Sequence, residues 1–240
     1  MAVPHIIYHQ TPRITANELA RFMVTGDTGR LGIIKRSREK KAAVAIRYSD
    51  VKDSIAASMC SPVNAKSLLA SAYEAFQQKS QDASLSVWTK EDASKSLDVL
   101  YAFDGMKNQL AGYDFVVAPP KQPPLIISGV SVIVTCDVMI HQPVKGVESI
   151  GAALFRLTKP DEEETDTAKS KREHMGRYVA TLVMMQVGAN LAGNRQPVSD
   201  LCWSLDIQSR EIHRAPKNTK TLIGNLESAC TFISAMWDKV

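Results

Sequence analysis

The 240-residue sequence is short of most features that announce a particular chemistry. Aromatic residues make up 6% of the chain, too few for a single-strand nucleic-acid binder with many stacking platforms. The four cysteines, Cys60, Cys136, Cys202 and Cys230, form no C-x-x-C pair, so zinc ribbons and redox motifs have no support. Three of them sit inside apolar runs, where a free thiol behaves as a small hydrophobe, and a reducing compartment is the natural setting. No apolar run is long enough to cross a bilayer, and MAVPHIIYHQTPRIT lacks the basic-then-apolar order of a secretory signal. A cytoplasmic protein without membrane contact is expected. His5, His9, His141, His174 and His213 show no metal-ligand spacing on a plausible helix face, since His5 and His9 lie beside Pro4 and Pro12. No G-x-S-x-G elbow supports a hydrolase triad. The stretch Gly26 to Gly32 lacks the Walker lysine followed by Ser or Thr and is expected to be a turn. There is no internal repeat.

What is present is an ordinary globular composition, 45% hydrophobic and 22% charged, with a net charge of +4 and a pI near 8.8. That balance permits contact with nucleic acid without arguing for it. One segment departs from neutrality far more than the whole chain does. Arg30, Lys35, Arg36, Arg38, Lys40, Lys41 and Arg47 are accompanied by a single acid, Glu39, between Arg30 and Arg47. A phosphate backbone or an acidic partner surface would complement such a cluster. A solvated helix face produces the same pattern.

In chain order, Thr15 or Asn17 caps a first helix carrying Leu19, Phe22 and Met23 on one face, and Thr25 to Gly29 breaks it. Ala42 to Tyr48 reads as a short strand. Asp50 opens a helix with Val51, Ile55 and Met59 at helical spacing, ended by Pro62. A third helix runs from Asn64 or Ser67 to about Gln78. Gln77 to Ser86 reads as a polar loop, and Asp92 to Leu110 as a fourth helix. Val117 to Pro124 is an extended connector, because its four prolines cannot donate ladder hydrogen bonds. Residues 1–118 thus read as a helical subregion with one short strand, and residues 125–240 as an α/β core, either joined to it in one continuous domain or separate.

The core is organised around Leu125 to Pro160. Ile126 to Val134 is dense in β-branched residues and reads as strand, with Gly129 as a bulge or bend within or between strands. A turn is expected at His141 to Gly146, then a second apolar run at Ile150 to Leu157. Asp137 is the carboxylate that stands out, with Lys159 at the end of the second run. Two ordinary core strands with polar ends give the same pattern. Beyond them come a long helix from Thr167 to Leu191, a strand at Leu201 to Ile207, a turn at Gln208-Ser209, a returning strand to Arg214, and a last helix from Asn218 or Thr219.

That order, strand, strand, strand, long helix, strand, strand, helix, is that of the restriction-endonuclease-like core. The residues resemble the RecB-type PD-(D/E)XK nucleases over about Leu125 to Val240. ISGVSVIVTCDVMI resembles their strand hairpin, whose second strand ends in a metal-binding Asp, here Asp137. ESIGAALFRLTK resembles the next strand, GRYVATLVMMQVGANL the long helix, and LCWSLDIQSREIHRAPK the strand pair after it. The resemblance implies an α/β fold with a mixed sheet flanked by helices. It places Ile126–Val134, Ile150–Leu157 and Leu201–Ile207 in one sheet. The chain also departs from the family. The central strand of the family carries (D/E)-x-K, an acid that binds metal and a lysine that activates water. Here Gly151 to Leu157 has no acid and only Arg156 as a cation. Glu148 precedes the strand and Lys159 follows it, and the Gln-x-x-x-Tyr helix motif is absent, although Tyr178 and Gln186 lie on that helix. Glu74 is a further carboxylate without a placed role.

The expectation is a nuclease-like subunit that binds nucleic acid, assembles with a partner protein, or both, without catalysis and without a cofactor. The rival is an active Mg²⁺-dependent nuclease with a migrated site of Asp137, Glu148 and Lys159, because Asp137 alone holds Mg²⁺ weakly. A third reading is a protein-interaction module with no nucleic-acid role.

Overall fold

The computed structural model describes residues 7–40, 47–160 and 163–240. In chain order the elements are β1 (Ile7–Tyr8), β2 (Arg13–Thr15), α1 (Ala16–Val24), α2 (Asp27–Arg38), β3 (Glu39–Lys40), α3 (Ser49–Cys60), α4 (Ala65–Gln81), α5 (Val87–Asp104) and α6 (Lys107–Leu110). They continue with β4 (Asp114–Val117), β5 (Leu125–Ile127), β6 (Val130–Ile133), β7 (Val138–Val144), β8 (Val147–Arg156), α7 (Asp166–Gln186), β9 (Gln196–Asp206), β10 (Glu211–Arg214) and α8 (Lys220–Met236). A π-helical turn, Val187–Leu191, prolongs α7.

A five-stranded mixed sheet, in the order β10-β9-β8-β7-β4, carries the core. β8 and β9 are parallel, and every other neighbouring pair is antiparallel. A parallel pair needs a crossover, and α7 supplies it. Strand alternation divides the side chains between two faces. Val138, Ile140, Ala153, Phe155, Leu157, Leu201, Trp203, Leu205 and Ile207 pack with α3, α4 and α5. Met139, Ile150, Ala152, Leu154 and Cys202 face the other way, among residues of α1, α7 and α8. Trp203 is fully buried beneath Tyr113, whose ring meets it edge-on at 4.6 Å between centroids. Burying one such side chain stabilises the fold by roughly 1.5–3 kcal/mol. Gly151 is required where β8 and β9 shift register, because a Cβ there would stand 2.0 Å from the Leu201 carbonyl oxygen.

Several sequence expectations are corrected. Ile126–Val134 does not join the main sheet. It forms the hairpin β5–β6, turned at Ser128-Gly129 with φ of 46° and 80°, and β6 pairs in parallel with β2 in a separate three-stranded sheet. A β-branched run signals a pleated surface but not which sheet supplies it. The turn placed at His141–Gly146 is the outer half of β7. The true turn is Lys145-Gly146, with φ of 52° and 78°, the left-handed pair that a two-residue hairpin demands. His141, Gln142 and Pro143 disguised this strand because its outer end leaves the core and no longer alternates apolar with polar.

Gly26 to Gly32 is not a turn beyond its first residue, since α2 starts at Asp27 and is anchored by buried Ile33 and Ile34. α4 continues to Gln81, and α5 begins at Val87, where the Ser86 hydroxyl accepts a hydrogen bond from the Thr89 N–H. Of the strand expected at Ala42–Tyr48, residues 42–46 lie outside the described ones, and Tyr48 is in the left-handed region at φ 66°. The two halves of the chain interleave: β2 pairs with β6 and β4 with β7, and Ile14 and Leu19 share a core with Leu182 and Ile233.

The proline connector is held by side chains, as its missing donors require. Gln122 acts as a surrogate strand residue, donating to the Cys136 carbonyl at 2.8 Å and accepting from the Cys136 N–H at 2.9 Å. Buried Gln186 donates to the Pro123 carbonyl at 2.9 Å. All four cysteines are free thiols. Among the described residues no helix is long and apolar enough to cross a membrane.

Candidate nucleic-acid interface

Asp137 immediately precedes β7 and so opens a strand instead of closing one. Its N–H donates to the Ala153 carbonyl, and its carboxylate folds back to accept the Phe155 N–H at 2.7 Å. The second carboxylate oxygen takes the Lys52 ammonium from α3, also at 2.7 Å. Burial pushes the Asp137 carboxyl above its ordinary range, against the opposing pull of Lys52 and the Phe155 N–H. Both oxygens are therefore committed to holding the end of the β7–β8 hairpin against α3.

The residues proposed to share a site with Asp137 do not converge on it. Glu148 pairs across from Pro143, six residues along β8 from the Asp137 level, or about 20 Å at strand spacing. There it is largely exposed and lies 3.7 Å from Arg195. Lys159 follows β8 and lines a cleft with α1 and α7. Glu74 is exposed on α4. Among the described residues no three His, Cys, Asp or Glu side chains are grouped so as to hold a metal ion. This donor set does not fit the Mg²⁺ site that the resemblance implies.

The basic segment between Arg30 and Arg47 is largely committed to the chain itself. Arg30 donates to the Phe22 carbonyl and pairs with Asp27 at 3.2 Å. Arg36 lies 3.7 Å from Glu18. Arg38 donates to the Val240 carbonyl, pairs with Asp238 and stacks over Tyr8. Arg47 pairs with Glu91 at 3.3 Å and covers the Trp88 ring. Lys35 and Lys40 are exposed, and Lys41 lies outside the described residues.

A different cationic surface, which the sequence reading missed, runs along α7. Two adjoining clefts share Val24 and Lys171. The first, of about 740 Å³, is lined by Lys171, His174, Arg177 and Arg214 around Met23, Tyr178 and Leu222, and among the described residues no acid lines it. The second, of about 570 Å³, holds Arg21, Arg156, Lys159, Lys171 and Arg172 against Glu18 and Glu164. It sits beyond the carboxyl end of β8, which is where open α/β sheets place ligands. Its floor is Arg156, 9% exposed, 3.2 Å from Asp206, which is 1% exposed. Arg172 is fixed above this pair by Glu164 and Ser209, and Ser209 in turn donates to Asp206 at 3.1 Å. Gly176 lets α7 settle onto β10, since a Cβ there would stand 2.2 Å from the His213 ring. Burial is the main cause that pushes His213 below its ordinary pKa, with Arg156 adding to it.

The groove had one local signal, Lys171, His174 and Tyr178 at i, i+3 and i+7 on α7. Tyr178 is half-buried. The other walls come from α1, from the segment after β10 and from α8, distant in sequence.

No protein-family model, curated protein or solved structure matches this chain.

Proposed function

We propose that the chain is a nucleic-acid-binding subunit on a restriction-endonuclease-like core, one that holds a polynucleotide along α7 and does not cut it. The cation-lined groove is the observation that carries this reading. A polyphosphate backbone supplies the charge that Lys171, Arg177 and Lys159 call for, and releasing its counterions drives association. The core reading is supported by β7, β8, α7, β9, β10 and α8 in that order, with β4, a strand the sequence did not show, in the sheet position expected for Ile126–Val134, and β5–β6 outside that sheet. The absence of cleavage is argued from Asp137, whose two oxygens are held by Lys52 and the Phe155 N–H, beside a strand reading Leu154-Phe155-Arg156.

One observation favours the rival nuclease: Lys52 brings from α3 a lysine that β8 does not supply. The deciding experiment incubates single- and double-stranded DNA and RNA with the protein in Mg²⁺ or Mn²⁺. The proposal expects salt-sensitive binding and no product, with Asp137→Ala binding as the parent does. Metal-dependent cleavage lost in a folded Asp137→Ala variant would establish the nuclease instead.

A further inference from the structure

We infer that the 740 Å³ cleft takes one unstacked nucleotide, its base on the apolar floor and its phosphates at the cationic rim, so that the groove prefers single strands to duplexes. This rests on the nucleic-acid reading above and names the form of the ligand.

The cleft lining has two chemistries that differ in exposure. Met23, Val24, Tyr178, Pro216 and Leu222, apolar or aromatic, are half-buried, while Lys171, His174 and Arg177, basic or imidazole, are exposed. A surface made only to grip a duplex needs cations at phosphate spacing, because a duplex turns its bases inward and presents phosphates and sugars. An apolar floor inside a cationic rim fits a ligand that is anionic on one side and flat and apolar on the other. An unpaired nucleotide has that division. The volume lies in the range of pockets that enclose small organic ligands, about 300–1,000 Å³.

Tyr178 is well placed to serve as the platform. Its hydroxyl accepts a hydrogen bond from the Asn225 side-chain amide at 3.2 Å, which ties α7 to α8 and limits the freedom of the ring. Arg214 bonds the Tyr113 hydroxyl at 3.0 Å, lies over the Trp203 ring and pairs with Asp200 at 3.6 Å, toward the α3–α5 side of the sheet, so Lys171, His174 and Arg177 form the polar rim of the cleft. One platform is consistent with a chain poor in aromatics, because a single pocket does not require a row of them.

The test compares three fluorescent probes of equal length at fixed salt: single-stranded DNA, the same strand as a duplex, and the same strand with abasic sites. The inference expects the single strand to bind at least about tenfold more tightly than either of the others. Tyr178→Ala should weaken single-strand binding by about 5- to 150-fold, the range of one base–aromatic contact, and Tyr178→Phe should restore it. Equal binding of the duplex or of the abasic strand overturns the inference and leaves the nucleic-acid reading standing. No salt-dependent binding of any probe overturns that reading, and the inference with it. The abasic comparison uses the unaltered protein, so a variant that fails to fold does not remove the test.

Discussion

The segment Arg30–Arg47 and the groove along α7 are both rich in cations, yet their charges are in different states. In the first, four arginines are engaged by Asp27, Glu18, Asp238 and Glu91 and by backbone carbonyls or aromatic rings. In the second, a buried layer is paired and an outer layer faces open space. Arg156 and Arg172 are held from beneath by Asp206, Ser209 and Glu164, while Lys159, Lys171 and Arg177 stand exposed above them. A run of basic residues in a sequence counts charge, but binding depends on charge left on offer after the chain has satisfied itself.

The contrast is broken most strongly at its buried layer. Asp206→Ala leaves the Arg156 guanidinium buried without its carboxylate, and the expected loss of unfolding free energy is about 3–5 kcal/mol by urea titration. A loss under about 1 kcal/mol would mean that Arg156 turns outward and is itself on offer. Asp137→Ala comes next. It removes the acceptor of the Phe155 N–H and the partner of Lys52, with an expected cost of about 1–3 kcal/mol in the same titration and no change in nucleic-acid affinity.

A pH series probes the contact beneath α7. His213 is held below its ordinary pKa in the folded chain, so the unfolded state binds more protons at mildly acidic pH. Its contribution is fully present above the unfolded value of about 6.5 and is lost as pH falls through the lower folded value. Stability should therefore decline on acidification below neutrality. His213→Gln should flatten that part of the pH–stability curve, as measured by thermal unfolding at closely spaced pH values. The smallest effect is expected at the first segment, where Arg36→Ala or Arg47→Ala removes an exposed ion pair worth about 0.2–1 kcal/mol.

What the sequence made legible follows from the range of each signal. Helix α7 and the strand holding Trp203 were read because their apolar residues repeat within a few turns or alternate within a few residues. β7 was lost because half of it, His141–Val144, leaves the core. The partition of Ile126–Val134 into another sheet depends on Arg13–Thr15, more than a hundred positions away, and no local pattern carries that pairing. Asp137 was expected to close a strand but opens β7, and its partner Lys52 lies on a helix whose packing only the fold shows. The groove was missed for the same reason. Its cations on α7 are interspersed with Asp166 and Glu173, and they become a surface only when α1, α8 and the end of β10 close around them.

The most direct measurement is the salt dependence of nucleic-acid affinity in three proteins: the parent chain, Lys171→Ala/Arg177→Ala, and Lys35→Ala/Lys40→Ala. Each phosphate contact contributes a slope of about 0.7 to 0.9 in log affinity against log salt, for single strands and duplex respectively. The groove account predicts that the Lys171/Arg177 variant loses about 1.4 to 1.8 from the slope and that the Lys35/Lys40 variant keeps the slope of the parent. A slope unchanged in the first variant and reduced in the second would contradict it and return the interface to the Arg30–Arg47 segment.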